Sequence, residues 1–190
     1  MIAADETFDG TWPFLARFSE TSGFRQHFVD EGPAEAETIL CLHGEPTWGY
    51  LYRSMIGPLS ESYRVVVPDH MGFGKSETPQ DREYTLRTHV ENLEGFVEDL
   101  DLTDITLVCQ DWGGPMAGIF AARHPDRVKR VFLMNTVFGY GGGQAEGGKT
   151  PWFRWIEKHE EAGTLEGILG ELGSTVLSVM KIIGFQNTAA

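Results

Sequence analysis

Short apolar runs alternate with amphipathic stretches over the first 138 residues. Residues 38–42, 64–67, 105–109 and 128–134 are such runs, and most lack strict alternation of polar and apolar positions. That pattern predicts strands covered on both faces of a parallel sheet. Ahead of them, residues 15–19 and 24–30 flank Glu20-Thr21-Ser22-Gly23, a polar stretch ending in a glycine, which predicts a β-hairpin. Between the runs, Leu86, Val90, Leu93, Val97 and Leu100 recur at spacings of three and four, with carboxylates outside the stripe and Thr85 placed to cap the helix N-terminus. Residues 114–124 predict a second helix, with Pro115 near its start and Pro125 just past its end. Strands alternating with helices indicate a doubly wound α/β sheet rather than an all-β barrel.

The pattern changes after Phe138. Residues 139–148 are rich in glycine and read as a linker or loop; residues 152–158, 165–172 and 176–183 then look helical, with no strand among them. The expected division is therefore a core domain over 1–138, followed by a linker and a helical segment over 139–190. A sheet that stops at 128–134 would leave a hydrophobic strand as an unprotected edge. The chain is accordingly expected to be the N-terminal part of a longer fold whose last strands are missing.

Composition narrows the partners. The chain is 190 residues long, 41% hydrophobic and 12% aromatic, which argues for a packed core and against disorder. Its formal charge of −13, from 15 Lys+Arg against 28 Asp+Glu, would repel a nucleic acid, and no basic run offers a local exception. No apolar run approaches the roughly 18 residues of a membrane span. The first residues show no basic segment followed by an apolar one, so no signal peptide is expected. With only Cys41 and Cys109 present, reduced buried thiols in a cytoplasmic protein are expected.

The candidate chemistry centres on Gln110-Asp111-Trp112-Gly113-Gly114-Pro115, where a strand passes directly into a helix. A nucleophile held at such a sharp bend needs small neighbours, and Cys109 and Gly113 supply them. At its tip stands Asp111, whose carboxylate is already ionised near neutrality and can attack carbon without first losing a proton. The competing role is helix capping, common for Asp before a helix. A second motif favours the nucleophile: His43-Gly44-Glu45-Pro46-Thr47-Trp48 follows the strand at 38–42. Its turn would bring the Glu45 amide beside the bend, to form an oxyanion hole with the amide of Trp112. His43 is expected to fix the loop, as are Asp69 and Ser76 in Pro68-Asp69-His70-Met71-Gly72-Phe73-Gly74-Lys75-Ser76.

In combination, His43 to Trp48, Tyr50-Leu51-Tyr52-Arg53 and Gln110 to Gly114 resemble the haloalkane dehalogenases of the α/β-hydrolase superfamily, over about residues 12–138. The resemblance implies an α/β-hydrolase fold: a mostly parallel sheet with flanking helices and the beginning of a helical cap. It further implies hydrolysis of a small halogenated hydrocarbon by water, without metal or organic cofactor. Asp111 would displace halide and form an alkyl ester, while Trp112 donates to the departing halide ion. A second indole would come from the cap, where Trp152 and Trp155 stand, although ordinary packing is the expectation for both. The resemblance also calls for a late histidine and a further carboxylic acid. Neither is identifiable: Asn135 occupies one branch's acid position, and His159 lies in the helical tail. Epoxide hydrolases share the Asp-Trp-Gly bend and are the alternative, as is a non-catalytic binding protein of the same fold.

Overall fold

The computed structural model describes residues 2–136, 151–165 and 167. The chain divides into two compact units, Met1–Tyr140 and Gly141–Ala190. In the first, six strands form one sheet: β1 (Arg17–Ser19), β2 (Gln26–Glu31), β3 (Thr38–Leu42), β4 (Arg64–Pro68), β5 (Ile105–Gln110) and β6 (Val128–Met134). Their spatial order is β1-β2-β4-β3-β5-β6. The hairpin expected at the start is present, with Phe18 opposite His27, and β2 runs antiparallel to β4. From β4 to β6 every pairing is parallel.

Successive residues of the inner strands enter two separate hydrophobic cores, which is why their runs show little alternation. Leu40, Leu42, Val66, Ile105, Leu107 and Cys109 pack with Val90, Leu93, Phe96 and Val97 of α2 (Leu86–Asp99) and with Phe120 of α3 (Gly113–Arg123). Ile39, Cys41, Val65, Val67 and Val108 pack on the opposite side with Trp12, Tyr52 and Ile56. Cys41 and Cys109 thus sit on neighbouring strands but in different cores, and both are free, buried thiols. Burial pushes the Cys109 thiol up to about 12 and raises Cys41 still further, so neither is a ready nucleophile.

The α2 helix starts where expected, and the Thr85 hydroxyl accepts the Thr88 amide at 3.2 Å. One element is additional to those expected: a 3-10 turn over Gly49–Tyr52 leads into α1 (Arg53–Ser60). Gly57 and Pro58 interrupt its sequence as breakers do, and Ile56 is its one buried residue, so no apolar stripe announces it. Strand β6 pairs only with β5 among the described residues, and Val131, Phe132 and Leu133 are exposed on it. The expected apolar edge is therefore present.

In the second unit, α4 (Pro151–Glu161) covers the helix expected at 152–158. The glycine-rich stretch 139–148 and nearly all of the later helical segments lie outside the described residues. No helix among the described residues is long and apolar enough to cross a membrane.

Tyr52 braces the strand ends that carry the two motifs. Fully buried, its hydroxyl donates to the Leu42 carbonyl at 2.8 Å and lies 3.4 Å from that of Val108. Tyr52→Phe removes this donor without changing the ring, and should lower unfolding free energy by about 1–2 kcal/mol in urea titration. An unchanged midpoint would show that the brace contributes nothing.

Candidate active site

Asp111 sits at the bend between β5 and α3 with φ of 50°, in the left-handed region. Among non-glycine residues Asp enters that region comparatively readily. The bend is close-packed: a Cβ on Gly113 would collide with the Leu42 carbonyl. One on Gly44 would meet the Asp111 carboxylate and come within 2.7 Å of the Trp112 nitrogen. Both glycines are needed for space, Gly113 on the elbow and Gly44 on the loop after β3.

The geometry decides between the two roles open to Asp111. Trp112, not Asp111, occupies the N-cap of α3, and no side chain caps that helix. The Asp111 carboxylate instead reaches across to the loop after β3, where its Oδ1 accepts the Glu45 amide at 3.0 Å. On the main chain, the Asp111 carbonyl accepts the Gly114 amide at 3.0 Å and the Thr136 hydroxyl.

The loop that presents Glu45 is held by buried polar groups. The His70 amide donates to His43 Nε2 at 2.9 Å, so Nε2 carries no proton; Nδ1 therefore carries it and donates to the Gly44 carbonyl, also at 2.9 Å. His70 Nε2 in turn donates to the His43 carbonyl at 2.9 Å. Burial lowers the pKa of His43 against the opposing pull of Asp69. Burial, then the neighbouring His43 and His89, hold His70 well below the usual range. With both ring nitrogens committed, His43 is a loop-fixing residue, as its sequence context suggested. Asp69 has the same function: Oδ1 accepts Gly49 N and Oδ2 accepts Lys75 N, each at 2.8 Å, and Oδ2 also bonds His27 at 2.8 Å. Ser76 accepts the His27 amide and donates to the Asp69 carbonyl.

A cavity of about 220 Å³ opens beside the elbow, lined by Gly44, Glu45, His70, Phe73, Tyr84, Leu86, His89, Trp112 and Met116. Asp111 is not part of this wall; it adjoins two members, Glu45 by hydrogen bond and Trp112 by chain. The wall is largely aromatic and apolar, suited to a small uncharged organic molecule. The Glu45 side chain is exposed overall, yet the protein packed around its carboxyl, followed by the Asp111 charge, raises its pKa. Phe73, Tyr84, Leu86, His89 and Met116 were not singled out from the sequence as site residues. They come from three separate segments, the loop after β4, the start of α2 and the start of α3, and no local motif marks them as one surface.

The remaining candidates lie elsewhere. Asn135 follows β6 directly, exposed and at φ of 49°. His159 lies in the last turn of α4, its Nδ1 3.0 Å from the Thr164 hydroxyl and its ring 4.6 Å from that of Trp155. Trp152 lies within α4, and its side chain is outside the described residues. No cluster of three or more metal-ligating side chains occurs among the described residues.

A strand-turn-helix bend with an acid at its tip, on a sheet of this order, defines a class. Residues 37–163 match the alpha/beta hydrolase fold family, and the chain belongs to that family. Its sequence is 41% identical over 165 residues to the haloalkane dehalogenase of Psychrobacter cryohalolentis, covering 84% of this chain and 54% of that protein. It is 37% identical to the cis-3-alkyl-4-alkyloxetan-2-one decarboxylase of Shewanella oneidensis, over 67% of this chain and 41% of that one. Among solved structures, the haloalkane dehalogenase DpaA of Paraglaciecola agarilytica is similar with a TM-score of 0.70 and 35% identity, over 93% of this chain and 62% of that chain. The chain spans about half the length of the curated relatives it matches.

Two outcomes test this architecture. Gly113→Ala forces its methyl against the Leu42 carbonyl, and should cost about 1–3 kcal/mol in chemical denaturation; full retention of stability would refute the close approach. For His70, folding lowers the pKa, so its contribution to stability is complete above the unfolded value of about 6.5 and is lost as pH falls below it. The urea midpoint of His70→Gln should therefore decline less than that of the parent between pH 7 and 5. Equal declines would mean that His70 is not held neutral.

Proposed function

We propose that this chain carries the nucleophilic half of a hydrolytic haloalkane dehalogenase, with Asp111 as nucleophile. The observation that carries the reading is the Glu45 amide on Asp111 Oδ1. A carboxylate with one oxygen held by a backbone donor has its lone pairs directed differently on its two oxygens. Oδ2 is the attacking atom: it bonds the halogen-bearing carbon in line, and the halide departs with the electron pair of the broken bond.

In the resulting ester, Oδ1 is the carbonyl oxygen. When water adds to the carboxyl carbon, negative charge develops on Oδ1, where the Glu45 amide is already aimed, with the Trp112 amide as the second donor. Collapse of that intermediate expels the alcohol and regenerates the carboxylate. The water's proton goes to a base; His43 is unsuited to that part because both its ring nitrogens are hydrogen-bonded to backbone. Trp112 lines the cavity and offers an indole N–H to the leaving halide. The role of Trp152 or Trp155 as a second indole donor is part of the same proposal, and halide, alcohol and water are its partners.

The likeness to the haloalkane dehalogenases supports this substrate class. The likeness to an oxetan-2-one decarboxylase is compatible with the same carboxylate acting on a strained ring carbon, a second reading for the same elbow.

The test is incubation of the chain with 1,2-dibromoethane or 1-bromobutane, read by bromide release and intact mass. Asp111 is expected to gain the alkyl group with one bromide released per chain, and Asp111→Asn to give neither. A chain that releases no bromide but opens a cis-3,4-dialkyloxetan-2-one or styrene oxide would overturn the halide reading in favour of ring opening. A chain inert to all three would leave a binding protein.

A further inference from the structure

A halide released into a cavity of low polarity needs more than one donor, since an anion removed from water is costly unless several dipoles face it. Among the cavity's other polar groups, His70 gives Nε2 to the His43 carbonyl, and the Tyr84 hydroxyl donates to the Pro79 carbonyl at 2.9 Å. Glu45 contributes a carboxyl, which does not attract an anion when ionised. His89 is different. It lines the cavity from the first turns of α2, half-buried, and its ring makes no hydrogen bond to any described residue. Its ring lies 6.1 Å from that of His70 and 6.2 Å from that of Tyr84, edge-on to both.

Resting on the dehalogenase reading of this site, we propose that the His89 imidazole is a halide-contact group that shares the leaving anion with Trp112 and takes up a proton as it does so. A neutral imidazole always carries one N–H, and no acceptor among the described residues hydrogen-bonds to it. The groups facing His89 are His70 and Tyr84, with His43 and Glu45 beyond; Arg87 and Glu91 of its own helix are exposed. Burial, then the proximity of His43, lowers the His89 pKa. An anion beside the ring opposes that and favours the charged form. Halide binding should then tighten as pH falls. Glu45 titrates with the same sign, because protonating its raised-pKa carboxyl removes a negative charge from the wall.

The test is bromide binding to the full chain, read by quenching of tryptophan fluorescence at constant ionic strength against sulfate. The parent should bind saturably and tighten from pH 8 to 6. His89→Phe, which keeps a ring but has no donor, should weaken binding about tenfold at pH 6. His89→Gln should recover much of that affinity without the pH dependence, and Glu45→Gln should keep the pH dependence. Equal affinity in His89→Phe and parent overturns the proposal, as does pH dependence that vanishes in Glu45→Gln but persists in His89→Gln. Should Trp112→Phe abolish binding while His89→Phe does not, this inference falls and the dehalogenase reading stands. Absence of saturable bromide binding in the parent would remove both.

Discussion

One hydrogen bond joins the two loops on which the site is built: the Glu45 amide to Asp111 Oδ1. It holds the carboxylate away from its own helix and engages Oδ1, while Oδ2 has no hydrogen-bond partner among the described residues. Its donor belongs to the loop after β3 and its acceptor to the turn after β5, so the bond exists only because those strands are neighbours in the sheet. A backbone donor on one strand end and a side-chain acceptor on the next can be matched to a few tenths of an ångström only if both loops are immobilised.

The rest of the first unit can be understood as that immobilisation. His43, His70 and Asp69 hydrogen-bond backbone groups of the loops around the elbow, Asp69 bonding the His27 ring as well, and all three are buried. Buried polar groups so fully engaged give rigidity, whereas the same groups left unpaired would destabilise the fold. Tyr52 ties together the carbonyl ends of β3 and β5. Gly44 and Gly113 permit backbone approaches that any side chain would block. Together these features leave the strained Asp111 backbone little freedom to relax into an ordinary helix start.

The acidic surface and the apolar cavity wall act at different ranges. A net charge of −13 governs what approaches the molecule, while the wall of Phe73, Leu86, Trp112 and Met116 governs what remains in it. An uncharged substrate is indifferent to the first and favoured by the second. Under the proposed dehalogenase reading, a halide product would be disfavoured by both except where N–H groups face it.

The strands, α2, α3 and the elbow were legible in the sequence because each has a local cause: consecutive apolar residues, a stripe at helical spacing, a capping threonine, glycines where no side chain fits. The Asp111 motif was legible for the same reason, since a bend between strand and helix constrains residues only one or two apart. Helix α1 was not, because Gly57 and Pro58 argue against it and only burial of Ile56 and its surroundings outweighs them. Nor was the cavity wall, whose members lie on the loops after β3 and β4, the start of α2 and the start of α3. Local spacing thus determined which elements form and which acid stands at the turn. The Glu45 amide was expected beside the bend, but only the tertiary structure decided that it donates to the resting carboxylate, and that His89 faces the same cavity as Trp112, because contacts between distant segments are set by strand order and packing, which no short stretch of chain encodes.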